Sequence, residues 1–589
     1  MNRSGSTTFE LSLAGALVLS LAACGGGGGG SSGFVGSAAA PAASTPEPSL
    51  QLSGTAATGA ALANASVAVK CASGDGTAST DASGAYTLKL NGGALPCVIK
   101  VTGTQGGVEV TLHSLTEAGK TDANGVTSAA ANATPLTEMI VAQLTAGLPE
   151  DFFFAFNASS GAQISTEKLV AATQTVLTAL KEATGIDLGT IDPFKTQLVA
   201  ATTGAPDGGN AYDKLLDQLG DKVGSESLPQ IVTQIATAAA SGTTGGLGDA
   251  MASVQNGSLA GCPVAVSGKY RYIDYFGRYL VRDVNFKTMK FNLEDGSPLY
   301  DITADAAKPC EFTVAGTANG TQMRLDMVMG PSGIATFTIN NLTLGKNSIG
   351  YLVPVQSHPL SALTGEWTYL QSGFSAPLQS YVNWLGKFDI KADGNVIACD
   401  YNYGGQDFAT CSPNSATRVV TARTDGGFDL AKNGAVAANM YGYRAPDGTL
   451  TVFATQNPTA ADEPTSIETS MLLTQMKTLD MPAVGNVSNY WDVALSQSPG
   501  VARTVSVSPN SNTISAVDGD LATRTRASDG RVDTVRYNQP VAGMRYRAAG
   551  TGFGAAYQLP IRGTGFAIVI PAMPGSPGQQ SYTVSMNRK

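Results

Sequence analysis

Beyond residue 260 the dipeptide Asp-Gly occurs six times, at 295–296, 393–394, 425–426, 447–448, 518–519 and 529–530. Asp offers a side-chain acceptor to the backbone of a tight turn, and Gly takes positive φ at no steric cost. Between short segments that alternate apolar and polar residues, this pair is the strongest local signal for a β-hairpin. More than half of the chain is therefore expected to run as antiparallel meanders.

Three segments in this region open alike: Ser267-Gly-Lys-Tyr270, Thr364-Gly-Glu-Trp367 and Val487-Ser-Asn-Tyr490-Trp491. The first two start 97 residues apart, and each is followed by six to eight strand candidates. A small residue and then an aromatic at the head of a meander resembles the opening strand of lipocalin-like barrels, whose G-x-W is present once, as Gly365-Glu-Trp367. The resemblance implies barrels in which that aromatic plugs one end. Three barrel-like or sandwich β-units are expected, at 262–360, 361–480 and 485–589, with a short helical linker near 471–479. One large sheet assembly is the alternative.

Residues 50–120 read as a small β-sandwich. Runs such as Ala65-Ser-Val-Ala-Val69 and Ala85-Tyr-Thr-Leu-Lys-Leu90 alternate and are separated by Gly, Asp and Asn turns. Gly54, Ala65-x-Val67 and Thr80-Asp81-Ala-Ser83-Gly84-Ala-Tyr86 resemble the carboxypeptidase regulatory-like (transthyretin-like) fold, with Ala61-Leu62 where that family carries Gly-x-Pro. The resemblance implies that Asp81 caps a turn, Gly84 takes positive φ and Tyr86 enters the core, in a module that serves as spacer or binding accessory. From 130 to 257 the period becomes helical. Thr134-Pro135 reads as an N-cap with Pro at N1, Ser165 caps a helix closed by Gly185, and the runs Tyr212, Leu215, Leu216, Leu219 and Leu228, Ile231, Val232, Ile235 supply two more. A bundle of five or six short helices is expected. The aromatic patch Asp151-Phe-Phe-Phe-Ala-Phe156 is read as core filling, with lipid or partner contact as the alternative.

The longest apolar run, from Leu11 to Ala23, follows a single cation, Arg3. It is too short for a bilayer-spanning helix and suits the apolar part of a signal peptide at 1–23. It ends in Leu21-Ala22-Ala23-Cys24, which resembles the lipobox of bacterial lipoproteins. The resemblance implies cleavage before Cys24 and acylation of that residue, each buried methylene then contributing about 0.8 kcal/mol to a membrane anchor. Gly25, in place of the Asp that signals inner-membrane retention, implies an outer-membrane lipoprotein facing the periplasm or the cell surface. An ordinary leader with an incidental Cys is the alternative. Residues 24–49 are rich in Gly, Ser, Ala and Pro and read as a flexible tether.

The chain carries 36 Lys and Arg against 45 Asp and Glu, for a net charge of −9. An acidic chain without a Lys/Arg cluster is not expected to bind nucleic acid. Besides Cys24 there are six cysteines, which fall in local pairs: Cys71 with Cys97, Cys262 with Cys310, and Cys399 with Cys411. Sequential pairing keeps each pair within one predicted domain, and export to an oxidising compartment favours disulfides. Metal ligation is the competing reading, but no C-x-x-C occurs and His113 and His358 lie at no ligand spacing from a Cys.

No catalytic constellation stands out. G-x-S-x-G, H-E-x-x-H, the P-loop and a helix-opening G-x-G-x-x-G are absent. Ser165-Thr-Glu-Lys168 matches S-x-x-K without its partner motifs and sits at a helix start. Asp518 and Asp520 lie in an Asp-Gly turn. No catalytic residue, cofactor or metal is expected. The best binding candidate is Lys269-Tyr-Arg-Tyr-Ile-Asp-Tyr275 with Arg278. Tyr faces stack on sugar rings and Arg bonds hydroxyls, so Tyr270, Arg271, Tyr272, Tyr275 and Arg278 are read as a surface for a glycan, peptide or small hydrophobic ligand. The alternative is an ordinary sheet with Tyr270 and Tyr272 on its inner face. These readings describe a multidomain, mainly β envelope protein held to a membrane through Cys24, with a non-enzymatic binding, display or structural role. A hydrolase of a cell-surface polymer, using His358 or Asp520, is the second reading.

Overall fold

All six Asp-Gly glycines hold positive φ, between +58° and +85°. In five of the turns the Asp Oδ1 accepts the N–H two residues on, at 2.9–3.1 Å. Each turn joins two strands that pair antiparallel. The computed structural model describes residues 49–589 apart from 106–107, 163, 190, 203, 206, 223–227, 242–258, 260, 276, 344–345, 376–379, 401–411, 414–415, 446, 457–466, 498–502, 573–579 and 589. The leader, Cys24, the tether and Cys411 lie outside the described residues.

The hairpins close into three eight-stranded antiparallel barrels. The first runs from Gly268–Asp274 to Lys346–Pro354, and these two strands pair to close it. The second runs from Gly365–Ser375 to Ile467–Gln475, again closed first to last, with the two-residue strand Ser412–Pro413 added beside Asn395–Asp400. The third runs from Val487–Gln497 to Gln580–Asn587. The three aromatic openings therefore lie on the first strands of the three barrels. Trp367 is fully buried in the second, its indole N–H donating to Leu363 O at 2.7 Å.

Residues expected to form a linker near 471–479 belong instead to the strand Ile467–Gln475 and the coil after it. Met471 and Leu473 point into the second barrel, whereas Leu472 points out into a core shared by all three barrels. A strand buried on both faces reads as a continuous apolar run and loses its period of two.

The N-terminal part contains two four-stranded sheets. Ser49–Thr55, Ala85–Asn91, Lys120–Thr121 and Val126–Ala130 form one, and Ser66–Ser73, Asp75–Ser79, Ala94–Gln105 and Val108–Thr116 form the other. Among the described residues six helices follow: α1 Pro135–Thr145, α2 Pro149–Ala155, α3 Ala158–Gly161, α4 Thr166–Thr184, α5 Ala211–Gly220 and α6 Leu228–Ser241. Thr134 and Thr137 make a reciprocal capping box on α1, and Ser165 caps α4 by accepting the Lys168 N–H at 3.3 Å. The sheets and helices share one apolar core, which includes Val67, Leu112, Met139, Val176 and Ile235. Phe153 and Phe156 of the aromatic patch are buried, whereas Phe154 is 56% exposed beneath the cations of Lys100 and Arg444.

Disulfides join Cys71 to Cys97, on adjacent paired strands, and Cys262 to Cys310, and Cys399 is also disulfide-bonded. In the turn at 80–86, Asp81 Oδ1 accepts the N–H groups of Ser83 and Ala85, and Tyr86 is buried. Gly84 holds φ +77°, and a Cβ there would lie 2.4 Å from Ala56 O. Gly84→Ala is expected to lower stability by about 1–3 kcal/mol, read as a reduced urea midpoint. An unchanged midpoint would show that the turn relaxes freely.

Candidate functional site

The three barrels differ in what fills them. The first is packed with Tyr270, Tyr272, Phe291, Phe312, Leu325, Phe337 and their neighbours. The second is packed around Trp367, Phe388, Phe428, Met440 and Leu473. In the third the pattern is reversed. Along Gln580–Asn587, the apolar residues Tyr582, Val584 and Met586 face outward into the core shared with the other two barrels. Ser581, Thr583, Ser585 and Asn587 line the inside. Along Val487–Gln497, Trp491, Val493 and Leu495 face the shared core, while Ser488, Tyr490 and Asp492 face in. The inside is an open cavity of about 910 Å³.

Five arginines line this cavity: Arg524 and Arg526 on Leu521–Arg526, Arg531, and Arg545 and Arg547 on Arg545–Arg547. The two-residue spacing within each strand puts both guanidiniums on one face. Three of the five have carboxylate partners. Asp533, buried, pairs with Arg524 at 2.6 Å and with Arg531 at 3.2 Å, and Asp529 pairs with Arg526 at 2.9 Å. Among the described residues no carboxylate lies within salt-bridge distance of Arg545 or Arg547. Arg545 stacks over the Tyr537 ring at 4.9 Å. Arg547 stacks over Phe553 at 5.1 Å and donates to Gly554 O at 2.9 Å. The Nε of each is buried without a hydrogen-bond partner. Burial pushes the Arg545 guanidinium down from its ordinary value; burial and then the neighbouring Arg531 push Arg547 down to about 10. Across the barrel, burial raises the Asp492 carboxyl, which accepts from Ser585 Oγ at 2.6 Å.

The residues expected to form a ligand surface present none, Arg278 aside. Tyr270, Arg271, Tyr272 and Tyr275 are buried. Tyr270 and Tyr272 point into the first barrel, with Tyr270 Oη bonded to Val266 O at 2.7 Å. Arg271 points out of that barrel, against the outer face of the second. Its guanidinium bonds Asp425 O at 2.9 Å and lies 4.5 Å over the Tyr441 ring, which stacks on Tyr279. Tyr275 bonds Ser372 Oγ at 3.0 Å and packs on Tyr582, so it touches all three barrels. The reason is tertiary: the outer face of this strand is covered by other barrels. Arg278 alone is exposed, beside Asp274 at 3.6 Å.

Both histidines lie in a buried ionic network at the junction between the helices, the N-terminal sheets and the second barrel. His113 Nδ1 is 2.9 Å from Glu138 Oε2 of α1, and its Nε2 is 2.6 Å from Glu150 Oε2 of α2. Glu150 also pairs with Lys100. The next residue, Asp151, pairs with His358 Nδ1 at 2.6 Å and with Arg444. His358 thus meets a structural carboxylate, and Asp520 is an exposed partner of Arg536 at 2.9 Å. The two residues expected to serve a hydrolase are engaged in separate ion pairs.

No family model matches the chain, and no curated protein matches it. Among solved structures, it is similar to a double mutant of transferrin binding protein B from Haemophilus parasuis Hp5, with 10% identity over 55% of this chain and 67% of that chain and a TM-score of 0.17. Intact Ap-TbpB, with its N and C lobes, gives 10% identity over 55% and 77% at a TM-score of 0.17. A protein of unknown function from the DUF3598 family of Nostoc punctiforme gives 8% over 39% and 97% at 0.14. Likenesses this distant leave the functional reading to the geometry of the third barrel.

Proposed function

We propose that this chain is a lipid-anchored envelope protein that captures a small polar ligand inside its third barrel, without catalysing a reaction on it. The observation that carries the reading is the contrast between the barrels. Two have cores of apolar side chains, and one of the same strand number turns the large apolar residues of its first and last strands outward and keeps an open interior of about 910 Å³ lined by polar as well as apolar groups. Small-molecule sites occupy about 300–1,000 Å³. The lining supplies guanidinium, amide, hydroxyl and phenol groups at positions held by the barrel strands, which favours recognition of a ligand rich in donors and acceptors. The anchor rests on Leu21-Ala22-Ala23-Cys24, and the Gly-rich stretch after it supplies the reach for a displayed domain. Among the described residues no helix is long and apolar enough to cross a membrane.

A thermal-shift array on the full chain tests this reading. Polar compounds such as sugars and amino acids are expected to raise the melting temperature, and fatty acids are not. Thr583→Trp, placed on the inner face of Gln580–Asn587, is expected to weaken such binding by about ten-fold or more, roughly 1.4 kcal/mol. Binding of hydrophobes alone, or polar binding indifferent to Thr583→Trp, would overturn the reading.

A further inference from the structure

Charge inside the third barrel does not balance. Arg524 and Arg531 share the single carboxylate of Asp533, and Arg526 takes Asp529. Arg545 and Arg547 face the same cavity with aromatic rings and a carbonyl for company. Of the other carboxyls lining the cavity, Asp492 is bonded to Ser585, and neither it nor Asp480 forms an ion pair with Arg545 or Arg547 among the described residues. Two adjacent guanidiniums in a recessed site carry a desolvation cost that no direct carboxylate partner among the described residues offsets. Both residues line the open cavity, so an added partner reaches them from that side. A guanidinium presents a planar fork of donors that matches the two oxygens of a carboxylate or phosphate.

We propose that Arg545 and Arg547 form an oxyanion subsite for a small hydroxylated ligand bearing a carboxylate or a phosphate, its hydroxyls meeting Tyr490, Asn512 and Gln558 of the same cavity. This rests on the reading of the third barrel as the capture site and names the class of ligand it takes. An aromatic ring under each arginine occupies its planar face, while Arg547 spends one Nη2 bond on Gly554 O and keeps Nη1 for a ligand. Phe553 lies between Arg531 at 4.7 Å and Arg547 at 5.1 Å, and Tyr537 lies under Arg545 at 4.9 Å. The rings thereby hold the forks at fixed positions before the ligand arrives, which lowers the entropy lost on binding.

Isothermal titration of the full chain with galacturonate, glucose 6-phosphate and glucose tests the subsite and separates the two oxyanion sources. At least one of the two acidic sugars is expected to bind about ten-fold or more tighter than glucose, with a preference that shrinks as salt rises. Arg545→Gln combined with Arg547→Gln is expected to collapse that preference to within about two-fold while the affinity for glucose holds. Should the double variant fail to fold, Arg547→Lys keeps the charge and removes the fork, and a loss of about three-fold or more for the acidic sugar alone is expected. Equal affinity for glucose and both acidic sugars, or no binding of either acidic sugar, overturns the subsite. Polar binding that survives Thr583→Trp overturns the capture reading instead.

Discussion

Replacing Asp151 with alanine lowers the stability of the folded chain by about 3–5 kcal/mol, seen as a marked drop in the urea midpoint. Two consecutive helical residues point roughly 100° apart. At the start of α2 this sends Glu150 toward His113 and Lys100 of the N-terminal sheet and Asp151 toward His358 and Arg444. Arg444 ends the strand Ala435–Arg444 of the second barrel, and His358 lies between the first and second barrels. The helix turn is therefore a bracket between the two halves of the chain. Burial pushes the Asp151 carboxyl up, but His358 and then Arg444 more than reverse this and hold it below the usual carboxylate range. Removing the carboxylate leaves the Arg444 guanidinium buried without its counter-charge, which costs far more than losing an exposed pair. Asp151→Asn keeps the volume and drops the charge, so it is expected to lose nearly as much. Lys181 and Asp187 provide the contrast: they pair at 2.6 Å, but their side chains are 59% and 58% exposed. Asp187→Ala is expected to leave the urea midpoint unchanged within error. An equally unchanged midpoint for Asp151→Ala would show that the bracket carries no stability.

Local chemistry was legible in the sequence wherever it was sufficient by itself. The Asp-Gly turns, the Thr134 and Ser165 caps and the aromatic barrel openings each depend on a few neighbouring residues, and all are formed as their residue types require. Alternation also identifies which residues share a strand face. It does not identify what covers that face. Lys269-Tyr-Arg-Tyr-Ile-Asp-Tyr275 alternates correctly, with Tyr270 and Tyr272 inside the first barrel, but its other face is buried under two further barrels rather than open to a ligand. The candidate cavity carried a signal of the same kind. Arg524-x-Arg526 and Arg545-x-Arg547 are cations at period two, a spacing that puts them on one strand face without saying whether that face lies inside or outside a barrel. Only the closure of the third barrel, and the burial of Tyr582, Val584 and Met586 against its neighbours, turns that polar face inward. The histidine network left no sequence signal at all, because His113 and Glu138 are 25 residues apart and Asp151 and Arg444 are 293 apart.

The same network makes stability fall at alkaline pH. Burial alone would depress the His113 imidazole. The Glu138 charge, followed by hydrogen bonds that the imidazolium donates to Glu138 and Glu150, outweighs burial and raises the imidazole from 6.5 to about 9. A group with a higher pKa folded than unfolded takes up protons on folding. Its stabilisation is complete below the unfolded value of 6.5 and is lost as pH rises through about 9. Glu150 runs the other way: burial raises it, but His113 and Lys100 pull it from 4.5 down to about 2, so its share is complete above 4.5 and lost as pH falls toward 2. The network is strongest between these limits, from about pH 4.5 to 6.5. Because His113 and Glu150 are partners, their shifts describe one interaction, of order 3 kcal/mol, and do not add. Urea unfolding of the wild type and His113→Gln, run from pH 6 to pH 10, is expected to show a stability gap that narrows by about this amount through pH 9. The gap has to close from the wild-type side, since the variant lacks the titrating imidazole. A gap that stays constant across the range would mean that the imidazole holds α1 and α2 to the sheet as a neutral hydrogen-bonding group, with no net charge in the bracket on that side.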